Sequence, residues 1–295
     1  MSTSLSLAVA AKGPIVHPLP FLDAVAAEQA SSGIALETHV AHDGGWPESV
    51  ESRPGLNVHE CPAGTSITRL WGVALANARS DYVAVLDIHC PPAPGWLAAA
   101  GACVAEGVPL TWGPVIPASA ASGVNMLGYL AEYCQFHPPL DPALEEIPGN
   151  NLICRRDLLE EPARLRARGF EKTFTIWRLA AQGVPRERRE SMMVTFGKPM
   201  LWWSYVHRRA LHGRCFGARR LEQKGQPSRW MCLAGSPALP LIRLWRIYRW
   251  SHRIAGLRSA FWRYLPRLAI SETAWSWGEL QGYAVGARDA CDRLS

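Results

Sequence analysis

Short apolar runs alternate with stretches of helical spacing through the first half of the chain, and this limits the fold more than any other feature. Ser4 to Ala11 reads as a buried strand, Phe21 to Ala30 as a helix, and Ile34 to Ala41 and Leu56 to Cys61 as strands. Ser66 to Ala78 reads as a helix that Thr65 or Ser66 would cap. Tyr82 to Leu86 is wholly apolar, as a strand covered on both faces must be. Such alternation predicts a doubly wound α/β layer with a mostly parallel sheet. Further along, Trp96 to Glu106, Asn125 to Phe136, Arg156 to Arg168 and Thr173 to Gln182 suit helices, the last closed by Gly183. Leu110 to Ile116 and Asn151 to Cys154 suit strands, and Pro138 to Pro148 a proline-rich loop.

Composition changes near residue 199. The expected division is therefore an α/β domain over 1–198 and a basic, Trp-rich helical extension over 199–295. Trp202, Trp203, Tyr205, His207, Arg208 and Arg209 crowd together. In the amphipathic stretch Leu241 to Gly256, Arg243, Arg246, Arg249 and Arg253 recur every three or four residues and are expected on one face. With Trp245, Tyr248, Trp250, Phe261, Trp262 and Tyr264 nearby, the segment suits an interfacial helix on an anionic membrane. The alternative is a helix packed on the rest of the protein, its Arg stems covering apolar surface. The formal charge of +6 favours anionic partners. No familiar nucleic-acid module accompanies it, so a nucleic-acid partner is not expected.

The eight cysteines are scattered, with no CxxC pair. This argues against a zinc site or disulfide scaffold and for reduced thiols. Met1 to Gly13 has no basic n-region with a long apolar stretch, and no run reaches transmembrane length. A cytoplasmic protein, or one peripheral on the cytoplasmic face of the membrane, is expected.

An open parallel sheet binds ligands at the C-terminal ends of its strands. Asp43 follows one predicted strand and Asp87 another, with His89 two residues beyond Asp87. A carboxylate and an imidazole at i and i+2 suit Mn²⁺ or Mg²⁺. A loop acid beside a surface histidine is the plainer reading of that pair alone.

The segment Arg69 to His89 resembles the core of the family 2 glycosyltransferases, in which a helix leads into a strand ending in Asp-x-Asp. Pro94-Gly95-Trp96-Leu97, Trp112-Gly113-Pro114-Val115, Pro148-Gly149-Asn150-Asn151 and Phe170-Glu171-Lys172-Thr173 are similar to later blocks of that family, in the same order. The resemblance implies a GT-A fold and an enzyme that moves a sugar from a nucleotide-sugar donor to a carbohydrate or lipid-linked acceptor, with inversion. It implies that Asp43 binds the nucleotide base or ribose and that Arg69 faces the donor. It makes Asp87 the metal-linked acid, with His89 in place of the last Asp. Asn150 and Asn151 are candidate acceptor ligands, though turn chemistry after Pro148-Gly149 explains them nearly as well. Arg214, in His212-Gly213-Arg214, is a candidate for the donor diphosphate. Where inverting members carry a Glu-Asp pair this chain has Glu171-Lys172, which leaves Glu171 as candidate base. The alternative for Glu171 is a helix-terminal acid. The changed pair and the altered Asp-x-Asp also motivate a second reading, a non-catalytic GT-A protein that binds nucleotide or a partner enzyme. At the N-terminus, Ala11-Lys12-Gly13-Pro14 departs from the family pattern.

Overall fold

The computed structural model describes residues 4–13, 18–47, 50, 53–119, 121–223 and 225–294; Pro14 lies outside them. The chain divides into two compact units, residues 1–116 with 136–196, and residues 117–135 with 197–295.

The first unit is an α/β sandwich. Its strands are β1 (Ser4–Ala11), β2 (Ala35–His42), β3 (Leu56–Glu60), β4 (Tyr82–Asp87), β5 (Leu110–Trp112), β6 (Val115–Pro117), β7 (Asn151–Arg155), β8 (Arg186–Arg188) and β9 (Val194–Phe196). Seven of them form one sheet in the order β3-β2-β1-β4-β7-β5-β8, and β6 pairs with β9. Strands β1 to β4 are parallel, while β7 runs antiparallel to both β4 and β5. The apolar runs are explained by burial: Leu7, Ala8 and Val9 of β1 and Val83 to Leu86 of β4 are sealed from solvent.

The helices of this unit are α1 (Leu19–Ser32), α2 (Ile67–Asn77), α3 (Trp96–Ala105), α5 (Pro162–Arg168) and α6 (Lys172–Ala181), with α4 belonging to the second unit. Ser66 is the residue before α2, yet its hydroxyl makes no capping bond. The start of α3 is satisfied from a distance, because buried Glu28 on α1 accepts the Gly95 and Leu97 N–H groups at 3.0 and 2.8 Å. Helix α2 crosses α5 at Gly72, where a Cβ would strike the Leu165 carbonyl.

Two sequence expectations need correction here. Leu110 to Ile116 is not one strand: it breaks at Gly113-Pro114, where a Cβ on Gly113 would meet the Met192 backbone and Pro114 has no N–H for a ladder. Arg156 to Arg168 is not one helix: a short 3₁₀ turn ends at an extended Leu159, and α5 begins anew with Pro162 in its first turn.

The second unit is helical: α4 (Gly123–Glu132), α7 (Trp202–Leu221), α8 (Arg229–Gly235), α9 (Leu239–Ser251) and α10 (Ala255–Val285). Glycines let α7 and α10 meet backbone to backbone. A Cβ on Gly213 or Gly217 would strike the Trp275 or Glu279 carbonyl, and one on Gly278 or Gly282 the Ala210 or Arg214 carbonyl. Between these helices and α9, fully buried Glu272 receives Arg209 Nη2 at 2.6 and 2.8 Å and Arg243 Nε at 2.5 Å. Burial opposes its ionisation, but the two guanidinium charges outweigh burial and lower its pKa.

Arg243 is thus turned inward, and the four arginines expected as one stripe do not share a face. The cysteines are not all thiols either: Cys215 on α7 and Cys291 form a disulfide that closes a separation of 76 residues. Their distance along the chain hid the pair from spacing arguments. Among the described residues, no helix is long and apolar enough to cross a membrane.

Candidate functional site

The parallel register of β2, β1 and β4 sets three strand ends side by side. Ala11 lies opposite His42, and Ala10 opposite Asp87. Asp43 and Asp87 therefore leave the sheet at the same edge, two strand spacings or about 10 Å apart.

The same register carries Lys12 to Asp43. Lys12 Nζ donates to Asp43 Oδ2 at 2.9 Å and to the Thr65 carbonyl at 2.7 Å, while the Gly13 N–H donates to Asp43 Oδ1 at 2.8 Å. Burial alone would raise the Asp43 pKa, but the Gly13 N–H and Lys12 outweigh it and hold the carboxyl below its ordinary value. Beside it, the His42 ring stacks on Trp46 with centroids 5.7 Å apart. A flat aromatic wall, an ionised acid and a fixed cation thus line the mouth of β2. Sequence reasoning missed Lys12; pairing β1 with β2 in parallel register would have found it.

At the end of β4, Asp87 Oδ1 accepts the His89 N–H at 3.0 Å, and its carbonyl accepts the Cys90 N–H at 2.7 Å. This tight turn holds the Asp87 carboxylate over the strand end. Behind it, Trp71 of α2 donates Nε1–H to the Leu86 carbonyl at 3.3 Å. Lys172, first residue of α6, lays its ammonium 3.1 Å from the centre of that indole. Its stem passes over Gly149, where a Cβ would come within 2.6 Å of Lys172 Cδ. Glu171 is the residue before α6, half-buried, its carbonyl accepting the Thr175 N–H at 3.0 Å. The blocks resembling the transferase family thus gather β4, α2, the Gly149 turn and the start of α6 in one place.

The two asparagines part company. Asn150 is fully buried, with Nδ2 3.0 Å from Cys90 Sγ and Oδ1 unpaired among the described residues. Asn151 is also fully buried and fully engaged. Its Oδ1 accepts Trp96 Nε1–H at 2.9 Å, and Nδ2 donates to the Pro114 and Met192 carbonyls at 3.0 and 2.6 Å. Asn151 is therefore an internal pin of the sheet, and its expected role toward an acceptor is withdrawn.

Arg69 is exposed in the first turn of α2. Arg214 belongs to the helical unit, on α7, where Nε donates to the Gly286 carbonyl at 3.1 Å and where the Cβ of any residue replacing Gly282 would strike its backbone. Gly213, read beside Arg214 as part of a diphosphate motif, is a helix-packing residue.

No family model and no curated protein sequence matches the chain. Solved structures do. PcManGT, a mannosyltransferase from Pyrobaculum calidifontis in complex with GDP-Man and Mn²⁺, aligns over 96% of this chain and 85% of its own, at 16% identity and a TM-score of 0.51. S. aureus TarS 1–349 in complex with UDP-GlcNAc aligns over 96% and 92%, at 12% identity and a TM-score of 0.50. The chain has the GT-A fold. Asp43 and Asp87 stand at the C-terminal ends of β2 and β4, the end at which open α/β sheets in general receive ligands.

The donor set also bears on a metal. Among the described residues, no group of three or more His, Cys, Asp or Glu gathers to hold an ion. In donor chemistry alone, the Asp87 carboxylate and the His89 imidazole suit an ion that takes its remaining ligands from a diphosphate and water, as Mg²⁺ and Mn²⁺ do.

Proposed function

We propose that this protein is a nucleotide-sugar-dependent glycosyltransferase of the hexosyl type, acting with inversion on a carbohydrate or lipid-linked acceptor. The observation that carries the reading is the shared edge of β2, β1 and β4, where Asp43 and Asp87 stand at the C-terminal ends of parallel strands in a GT-A sheet. The structural neighbours bound to GDP-Man and UDP-GlcNAc support it.

On this reading the His42–Trp46 wall flanks the donor base, and Asp43, held ionised by Lys12 and Gly13, accepts its ribose or base hydrogen bonds. Asp87 and His89 would hold a divalent ion, which would supply charge neutralisation to the leaving diphosphate. Glu171 takes the proton of the acceptor hydroxyl, whose oxygen forms the new bond to the anomeric carbon. The bond from that carbon to the phosphate oxygen breaks, and the nucleoside diphosphate leaves with its electron pair. Lys172 stands where the second acid of the family pair would be; resting on Trp71 beside β4, it adds positive charge at the leaving-group end rather than basicity.

Calorimetric titration with UDP and GDP, with and without Mn²⁺, tests the donor side. Binding that strengthens with Mn²⁺ in the wild type and loses that dependence in Asp87→Ala and His89→Ala supports the reading. Binding that ignores both the ion and the substitutions would favour a non-catalytic GT-A protein, for which the missing second acid is the motive.

A further inference from the structure

Helix α9 leaves a large part of its apolar surface open to water. Its inward face holds Ile247, Ser251 and Arg243, the last bonded to buried Glu272. Its outward face carries Leu241, Trp245 and Tyr248, at 72%, 59% and 41% exposure. Surface helices ordinarily turn their polar side out.

The exposed face continues onto α10. Trp262, 55% exposed, packs edge-on against Tyr248 with ring centroids 6.2 Å apart. Exposed Arg246 and Arg249 flank the apolar strip, and the Arg249 guanidinium lies 5.7 Å from the Trp245 ring. No Asp or Glu occurs between Glu222 and Glu272, so this stretch of chain is itself wholly basic.

We infer that the outward face of α9, with Trp262 of α10, is a docking surface for an anionic phospholipid bilayer. Trp245, Tyr248 and Trp262 sit at head-group depth, Leu241 reaches the acyl boundary, and Arg249 pairs with a lipid phosphate. A second copy of the chain offers no complement, because self-pairing sets arginine against arginine. A nucleic acid would use the arginines but leave Leu241 and Ile242 in water. The inference rests on α9 and α10 alone and stands or falls independently of the transferase reading.

The test is co-sedimentation of the full chain with phosphatidylcholine vesicles and with vesicles in which about a quarter of the lipid is phosphatidylglycerol. Binding to the anionic vesicles, weakened by added salt, is expected. Arg249→Gln lowers the anionic partition coefficient by roughly fivefold. Trp245→Ser with Trp262→Ser lowers it by about tenfold or more. All three side chains, Arg249, Trp245 and Trp262, are exposed, so an unchanged urea midpoint is expected and shows that the variants fold. Absence of wild-type binding to either vesicle overturns the inference. So does a concentration-dependent dimer abolished by Trp245→Ser, or duplex DNA binding without vesicle binding.

Discussion

Replacing Asn151 by Ala separates a structural role from a functional one, and its size follows from the hydrogen bonds. The amide serves the Trp96 indole N–H and the Pro114 and Met192 carbonyls, in a site closed to solvent. Pro114 keeps a second partner, the Val194 N–H at 3.1 Å. The substitution therefore orphans one buried donor, on Trp96, and weakens the Met192 carbonyl. At about 1–3 kcal/mol for each unsatisfied buried group, the loss is about 2–6 kcal/mol before any cavity term. For a unit of this size each kcal/mol lowers the melting temperature by about 2–4 °C, so a fall of roughly 10 °C is expected. Urea and thermal unfolding read the loss. An acceptor ligand would instead keep the midpoint and raise the acceptor KM. A midpoint change worth less than about 1 kcal/mol would refute the assignment of Asn151 as a pin.

Glu272→Ala leaves Arg209 and Arg243 buried without their shared carboxylate, and should cost about 3–5 kcal/mol in urea unfolding. Reducing the Cys215–Cys291 disulfide, whose 76-residue separation implies about 4 kcal/mol of loop entropy, should lower the denaturation midpoint of the helical unit without altering nucleotide binding. His59 is held neutral by burial and by the charges of His39 and Arg166, which lower its pKa. A lowered pKa gives stability that is present above the unfolded value near about 6.5 and lost as pH falls through the folded one. Urea midpoints should accordingly start to drop below about pH 6.5, and His59→Gln should flatten that limb.

Much of the sheet was legible because burial on both faces writes itself into a strand. The run Ser4 to Ala11 coincides with β1, and the run Tyr82 to Leu86 falls within β4 (Tyr82–Asp87), for that reason. Strand β8, Arg186–Arg188, escaped because a three-residue charged strand at a sheet edge has no apolar run to announce it. The antiparallel direction of β7 is set by which strands it joins, and nothing local in Asn151 to Cys154 encodes it. In the site, Asp43 and Asp87 were visible as acids after strands. The Lys12–Asp43 pair needs the register, and the Lys172–Trp71 pair needs α2 and α6 in three dimensions. The arginines of α9 misled for a related reason: their spacing is helical, but Arg243 answers to Glu272 on another helix. Asn151 reads in sequence as a polar residue at the start of a short strand and free for an acceptor, while its three partners lie on three other segments.

The central claim is transfer chemistry at the end of β4, and nucleotide release from UDP- and GDP-sugars with mixed acceptors tests it most directly. The account predicts Mn²⁺-dependent release in the wild type, lost by at least about a hundredfold in Asp87→Ala and Glu171→Gln. Release unchanged in both variants, or absent with every donor although nucleotide binds, would contradict it.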